Sequence, residues 1–187
     1  YTEVGNDGIV LPYADGPRPI YDDYVAENVY LNIINQAQKT LYITTPYLIP
    51  DSKLTSALMI AARRGVDVRI VTPHIPDKKI VFQITRSHYA PLQRAGVQIY
   101  EYLPGFLHAK QFLCDGKAAT VGTVNLDYRS LVHHYECGVW MYDTACIADI
   151  REEFERIFSV SENMHGFQQG RFARVFCSVL AVFTPLL

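Results

Sequence analysis

Two short stretches, residues 109–114 and 118–121, flank the pair Asp115-Gly116. They read as strands joined by a turn, since Asp and Gly are residues that turns favour. The turn ties the middle of the chain to a sheet, and the strand before it opens beside His108 and Lys110. Strand side chains alternate between faces, so His108, Lys110 and Phe112 share one face of a strand over 108–115. That face sets an imidazole, able to act as base or nucleophile near neutral pH, beside a cation suited to phosphate oxygens. The segment Gly122-Thr-Val-Asn125 follows and adds a hydroxyl at Thr123 and an uncharged amide donor at Asn125.

The other segments alternate. Residues 8–13 read as a short strand, and 15–19 as a turn rich in Gly and Pro. Residues 21–38 carry Val25, Val29, Ile33, Ile34 and Ala37 at helical spacing. Residues 41–45 read as a buried strand ending at Pro46. Asp51 or Ser52 caps a helix through Arg64, which Gly65 terminates. Residues 66–71 and 97–103 are further strands. Between them a helix over 79–95 is expected to kink or split at Pro91 and to close at Gly96. Residues 137–142 form a strand, and Ile147, Ile150, Phe154 and Ile157 mark a helix ending near Phe158. This alternation predicts an α/β fold, a sandwich with a mixed β-sheet flanked by helices, in a single domain over 1–187. The chain has one His-x-Lys and no visible internal repeat.

The spacing His108-x-Lys110-x4-Asp115, followed by Gly122-Thr-x-Asn125, resembles the signature of the phospholipase D superfamily. Thr45-Pro-Tyr-Leu-Ile-Pro-Asp51, Thr72-Pro-His-Ile-Pro-Asp77 and a Pro-Leu-Leu end make most of residues 8–187 similar to the second catalytic half of bacterial cardiolipin synthases. That resemblance implies a phospholipase D-like sandwich and a phosphatidyltransferase. Such an enzyme moves a phosphatidyl group between two phosphatidylglycerol molecules through a phosphohistidine, without a cofactor. It assigns His108 as general acid/base, with the nucleophilic histidine on another half. Lys110, Thr123 and Asn125 become phosphate ligands. Asp115 is the last motif position, which tends to support structure more than to carry protons. Glu136 orients the histidine contributed by the other half. The implied partners are a phospholipid substrate, a membrane surface, and either an N-terminal half with the other His-x-Lys motif or a second copy of this chain. The expected setting is a soluble fragment of an enzyme of the bacterial cell membrane.

Other readings compete. A formal net charge of -2 gives no basic field, so nucleic acid is an unfavoured partner. An apolar content of 49% with 19% charged residues indicates an ordinary globular core. Cys114, Cys137, Cys146 and Cys177 show no Cys-x-x-Cys pairing and read as buried free thiols. A metal at His108 is disfavoured: Lys110 adds a repelling cation, and no second ligand stands at metal spacing. His133 and His134, adjacent on a strand, would point to opposite faces. Taken alone, Asp115 could be a turn aspartate and Glu136 a solvated edge residue. Asp127 and Arg129 read as shaping the site, and Pro46 and Tyr47 as lining a cleft or simply packing. The apolar segment 171–187 has Val175, Val179, Val182 and Phe183 at helical spacing; docking on the core is favoured over a membrane-surface role. Two alternative functions stand beside the phosphatidyltransferase. One is a homodimeric phosphodiesterase or nuclease of the same superfamily. The other is a non-catalytic lipid- or phosphate-binding module.

Overall fold

The computed structural model describes residues 7–170 together with 173 and 177. Along them run β1 (Ile9–Asp15), α1 (Val25–Gln36), β2 (Thr40–Thr44), β3 (Leu48–Ile49), α2 (Ser52–Arg63) and β4 (Asp67–Pro73). Then come α3 (Lys79–Ser87), α4 (Tyr89–Arg94), β5 (Gln98–Tyr102), β6 (Gln111–Cys114) and β7 (Ala118–Gly122). The described chain closes with β8 (Leu126–Asp127), α5 (Tyr128–Val132), β9 (Glu136–Tyr142), α6 (Cys146–Ser159) and β10 (Ser161–Asn163).

Eight strands form one mixed sheet in the order β1-β9-β7-β6-β2-β4-β5-β10. The strands β2, β4 and β5 are parallel neighbours, because helices α2, α3 and α4 carry the chain back between them. The remaining neighbours pair antiparallel. Between β6 and β7, Asp115 and Gly116 hold φ of 52° and 62°, and the Lys117 amide donates to the Cys114 carbonyl at 3.0 Å. Asp-Gly suits this tight turn because both residues tolerate positive φ.

Alternation along β6 assigns the layers. Phe112 faces one side and stacks on Tyr30 of α1 at 4.2 Å between ring centres. There α1, α2 and α4 bury Ile33, Ile34, Leu54, Leu58 and Leu92 against the sheet. Leu113 faces the other side and joins Ala119 and Met141 under Ile147 and Phe154 of α6. The sandwich expected from the alternating pattern is therefore present, with helices on both faces of a mixed sheet.

Several local expectations change. The helix over 79–95 divides at His88, not at Pro91. Proline has no N–H to donate to the carbonyl of residue i−4 and its ring clashes with it, so the break falls upstream, and Pro91 sits in the first turn of α4 where it is tolerated. β6 begins at Gln111, so His108 and Lys110 lie in the irregular segment ahead of the strand. Cys114 and Cys177 are buried free thiols, but Cys137 and Cys146 are exposed. Burial pushes the Cys114 thiol up to about 12. The proposed apolar face at Val175, Val179, Val182 and Phe183 lies outside the described residues; of that segment, Cys177 packs on Ile49 and Ile84. No helix among the described residues is long and apolar enough to cross a membrane.

Asp51 is the cap of α2, its Oδ1 accepting from the Leu54 amide at 2.8 Å. Asp51→Ala is expected to cost about 1 kcal/mol. Thermal unfolding checks this as a fall of roughly 2–4 °C in Tm.

Candidate active site

The site gathers at the ends of β6, β7 and β9, where the chain enters and leaves the hairpin. Ahead of β6, Lys110 is 8% exposed, and its Nζ donates to the carbonyl of His108 at 2.6 Å. The Lys110 carbonyl accepts from the Gly122 amide at 3.2 Å, so the lysine is held from both sides of the hairpin. The His108 side chain stays exposed, its ring 5.4 Å from that of Phe106. Burial and the neighbouring Lys110 cation hold the His108 imidazole below its ordinary pKa, against the pull of Asp77. Burial also lowers the Lys110 ammonium, opposed by the Glu136 and Asp127 carboxylates.

After β7 the chain must turn tightly against β9. Gly122 pairs with Gly138 there, and a Cβ at residue 122 would overlap the Cys137 carbonyl. The glycine thus permits close approach of two strands and brings Thr123 onto Glu136. The Thr123 hydroxyl donates to Glu136 Oε2, and that of Ser130 to Oε1 at 2.6 Å. His134 Nδ1 stands 3.6 Å from Oε1. With its side chain 8% exposed, Glu136 is a buried acceptor at the head of β9 and not a solvated edge residue. Ser130 connects the next layer: its Oγ accepts from the Asn125 amide nitrogen at 2.9 Å, and its own amide donates to Asp127 Oδ1 at 2.8 Å. Burial raises the Asp127 carboxyl, with the Ser130 amide, His134 and the Asn125 side chain opposing.

His108, Lys110, Thr123 and Asn125 line one open groove of about 370 Å³. The expected phosphate ligands are thus brought together, though Thr123 already spends its hydroxyl on Glu136. Asp115 is not brought to this groove. It lies past the far end of β6, roughly 16 Å along the strand from residue 110 at about 3.3 Å per residue. Its carboxylate accepts from the backbone amides of Gln38 at 2.9 Å, Lys39 at 2.7 Å and Thr40 at 2.8 Å. Burial works to raise the Asp115 carboxyl, but these donors outweigh it and hold it below 3.8. His133 and His134 close α5 and diverge: His133 packs edge-on to Tyr128, and His134 Nε2 accepts from Arg129 Nε at 3.1 Å.

A second set of residues reaches the site from distant segments. The hydroxyl of Tyr47, from the β2–β3 connection, donates to Asp77 Oδ2 at 2.5 Å. The loop carrying Asp77 and Lys78 is pinned where His74 Nδ1 meets Glu101 Oε2 at 2.8 Å. Glu101 is fully buried and forked by Arg86 at 2.8 and 2.6 Å. Of these residues only Tyr47 was anticipated at the cleft. Ser130, Lys78 and the approach of Asp77 to His108 carried no signal beyond the Thr72–Asp77 run itself.

A mixed α/β sandwich with a His-x-Lys segment at the mouth of a groove, backed by a buried carboxylate, defines a phospholipase D-like domain. The chain belongs to the family described as cardiolipin synthase, PLD-like domain, which matches residues 30–158. It is 37% identical over 191 residues to the cardiolipin synthase of Halalkalibacterium halodurans, covering 100% of this chain and 37% of that protein. The chain therefore spans little more than a third of the length of the curated relatives it matches. Among solved structures, its fold matches phosphatidylserine synthase of Haemophilus influenzae with a TM-score of 0.73 at 16% identity, covering 95% of this chain and 48% of that one. It also matches Nuc of Salmonella typhimurium, a phospholipase D family member, with a TM-score of 0.67 at 17% identity, covering 82% and 98%.

Proposed function

We propose that this chain is one catalytic half of a phosphatidyltransferase that joins two phosphatidylglycerol molecules into cardiolipin. The observation that carries the reading is the groove itself. It sets the His108 imidazole, the buried Lys110 ammonium and Asn125 around one open space, in a chain whose relatives include cardiolipin synthases.

The chemistry follows from the side chains. A nucleophilic histidine, supplied by the other motif half or by a second copy, attacks the donor phosphorus. The P–N bond forms as the P–O bond to glycerol breaks, and His108 gives its proton to the departing glycerol oxygen. The acceptor hydroxyl then returns a proton to His108 as its oxygen attacks phosphorus and the P–N bond breaks. Lys110 and Asn125 offset charge on the phosphoryl oxygens through both steps. Attacking and leaving groups lie roughly in line across phosphorus, so one imidazole cannot perform both roles. Glu136, fixed by Thr123 and Ser130, is the carboxylate placed to orient the opposing histidine. Asp115 serves by holding residues 38–40 to the hairpin.

The test is an assay of the full-length protein on phosphatidylglycerol in detergent micelles. Cardiolipin and free glycerol are the expected products, and EDTA is expected to leave the rate unchanged. Phosphatidic acid as the sole product would refute the transferase reading. Activity lost in EDTA and restored by zinc or magnesium would refute catalysis by side chains alone.

A further inference from the structure

Beside the His108 groove, and sharing Asn125 with it, lies a second cavity of about 250 Å³. Tyr47, Ile49 and Val81 give it an apolar wall, and the cations Lys78 and Arg129 also line it. The Lys78 ammonium stands 5.7 Å from the centre of the Tyr47 ring. Lys78 is also the residue from which α3 starts, so the positive end of that helix adds to its charge. Two carboxylates stand nearby: Asp77 accepts from the Tyr47 hydroxyl, and Asp127, which lines the cavity, accepts from the Ser130 amide, while Arg129 Nε donates to His134. The two cavities adjoin at Asn125, which lines both.

This layout bears on the choice of acceptor, and the inference rests on the phosphatidyltransferase reading above. Joining two phosphatidylglycerols gives a product whose two phosphates are separated by one glycerol. A hydrolase, which uses water, needs to hold one phosphate. A transferase must hold a second phosphodiester beside the first and offset its charge. We propose that the second cavity is the acceptor subsite. Lys78, with Arg129, holds the acceptor's phosphate. The wall of Tyr47, Ile49 and Val81 packs on the adjoining glycerol carbons. The free hydroxyl of that glycerol then points past Asn125 to the phosphorus at His108. Lys78 is thereby a specificity residue that favours a lipid alcohol over water.

The test compares wild-type full-length protein with Lys78→Gln in phosphatidylglycerol micelles, reading the ratio of cardiolipin to phosphatidic acid. Both products come from the same phosphatidyl intermediate, so their ratio reports acceptor capture. Lys78 is exposed, so its replacement leaves the fold intact. The ratio is expected to fall roughly tenfold, the effect of losing one charge-assisted contact. An unchanged ratio, or equal loss of both products, overturns the subsite. A wild-type protein that makes only phosphatidic acid would overturn the transferase reading instead. The subsite is then judged by titrating glycerol 1-phosphate into Lys110→Gln, where the catalytic groove is weakened, and into Lys78→Gln/Lys110→Gln. A tenfold weaker affinity in the double variant supports the subsite, and equal affinity overturns it.

Discussion

Lys110→Ala is expected to lower turnover by roughly 100- to 1,000-fold, the effect of removing one preorganised donor to developing charge. The residue is buried yet touches the groove, and its Nζ reaches only the His108 carbonyl within the described hydrogen bonds. Little of the core depends on that contact, so Tm should move by a few degrees at most. A second readout separates a catalytic role from a packing one. The Lys110 cation is one cause of the lowered His108 pKa, after burial. In the first step His108 gives up a proton, so it must start protonated, and kcat/KM falls as pH rises through its pKa. Without Lys110 that fall should move to higher pH, towards the ordinary value of 6.5. A profile unmoved on the pH axis, or a Tm lowered by many degrees with normal turnover of the folded fraction, would show Lys110 to be a structural residue.

Asp115→Ala is expected to cost about 2–3 kcal/mol, since three backbone amides lose a charged acceptor. Alanine is also a poor occupant of the left-handed conformation at φ 52°, which adds to the loss. For a chain of 187 residues this is a fall of roughly 5–10 °C in Tm. Asp115→Asn, which tolerates that backbone and keeps one acceptor oxygen, should lose less. The pH dependence has a definite sign. The folded carboxyl is held below 3.8, so its contribution is complete above that value and fades as pH falls through the lower folded pKa. Wild type should therefore lose this increment only in strong acid, whereas Asp115→Ala lacks it at every pH. Turnover per folded molecule should stay close to wild type. A normally stable variant with abolished turnover would return Asp115 to the chemistry.

The motif and the stability device are adjacent in sequence, yet they serve opposite ends of one strand. The distance from Lys110 to Asp115 is legible as five residues, but the spacing alone does not say which of the two faces substrate. The strand's length says only that the two stand apart. Residues at the two ends of a four-residue strand cannot meet, whatever they share as a pattern.

Local chemistry was enough for the hairpin, the helical stripes of α1 and α6, the capped α2 and the sandwich. Asp-Gly demands a turn, an apolar stripe demands a core to face, and strands alternating with helices leave few ways to bury both. His108, Lys110 and Asn125 were legible as candidates through the full spacing of the His-x-Lys-x4-Asp and Gly-Thr-x-Asn segments and its resemblance to the phospholipase D signature; that they line one groove is a result of the fold. Local chemistry did not reveal β3, β8, α5 or β10, which are two, two, five and three residues long and too short to show a period. Nor did it reveal that Tyr47 would meet Asp77, 30 residues away, or that the Leu126 amide would donate to Thr45 Oγ1, 81 residues away. Those contacts exist only once the parallel strands β2 and β4 stand side by side and the hairpin closes against β2. A sequence states which groups are available within a few residues of each other. The pairing of strands decides which distant groups share a cavity, and here it placed Lys78 beside the His108 groove.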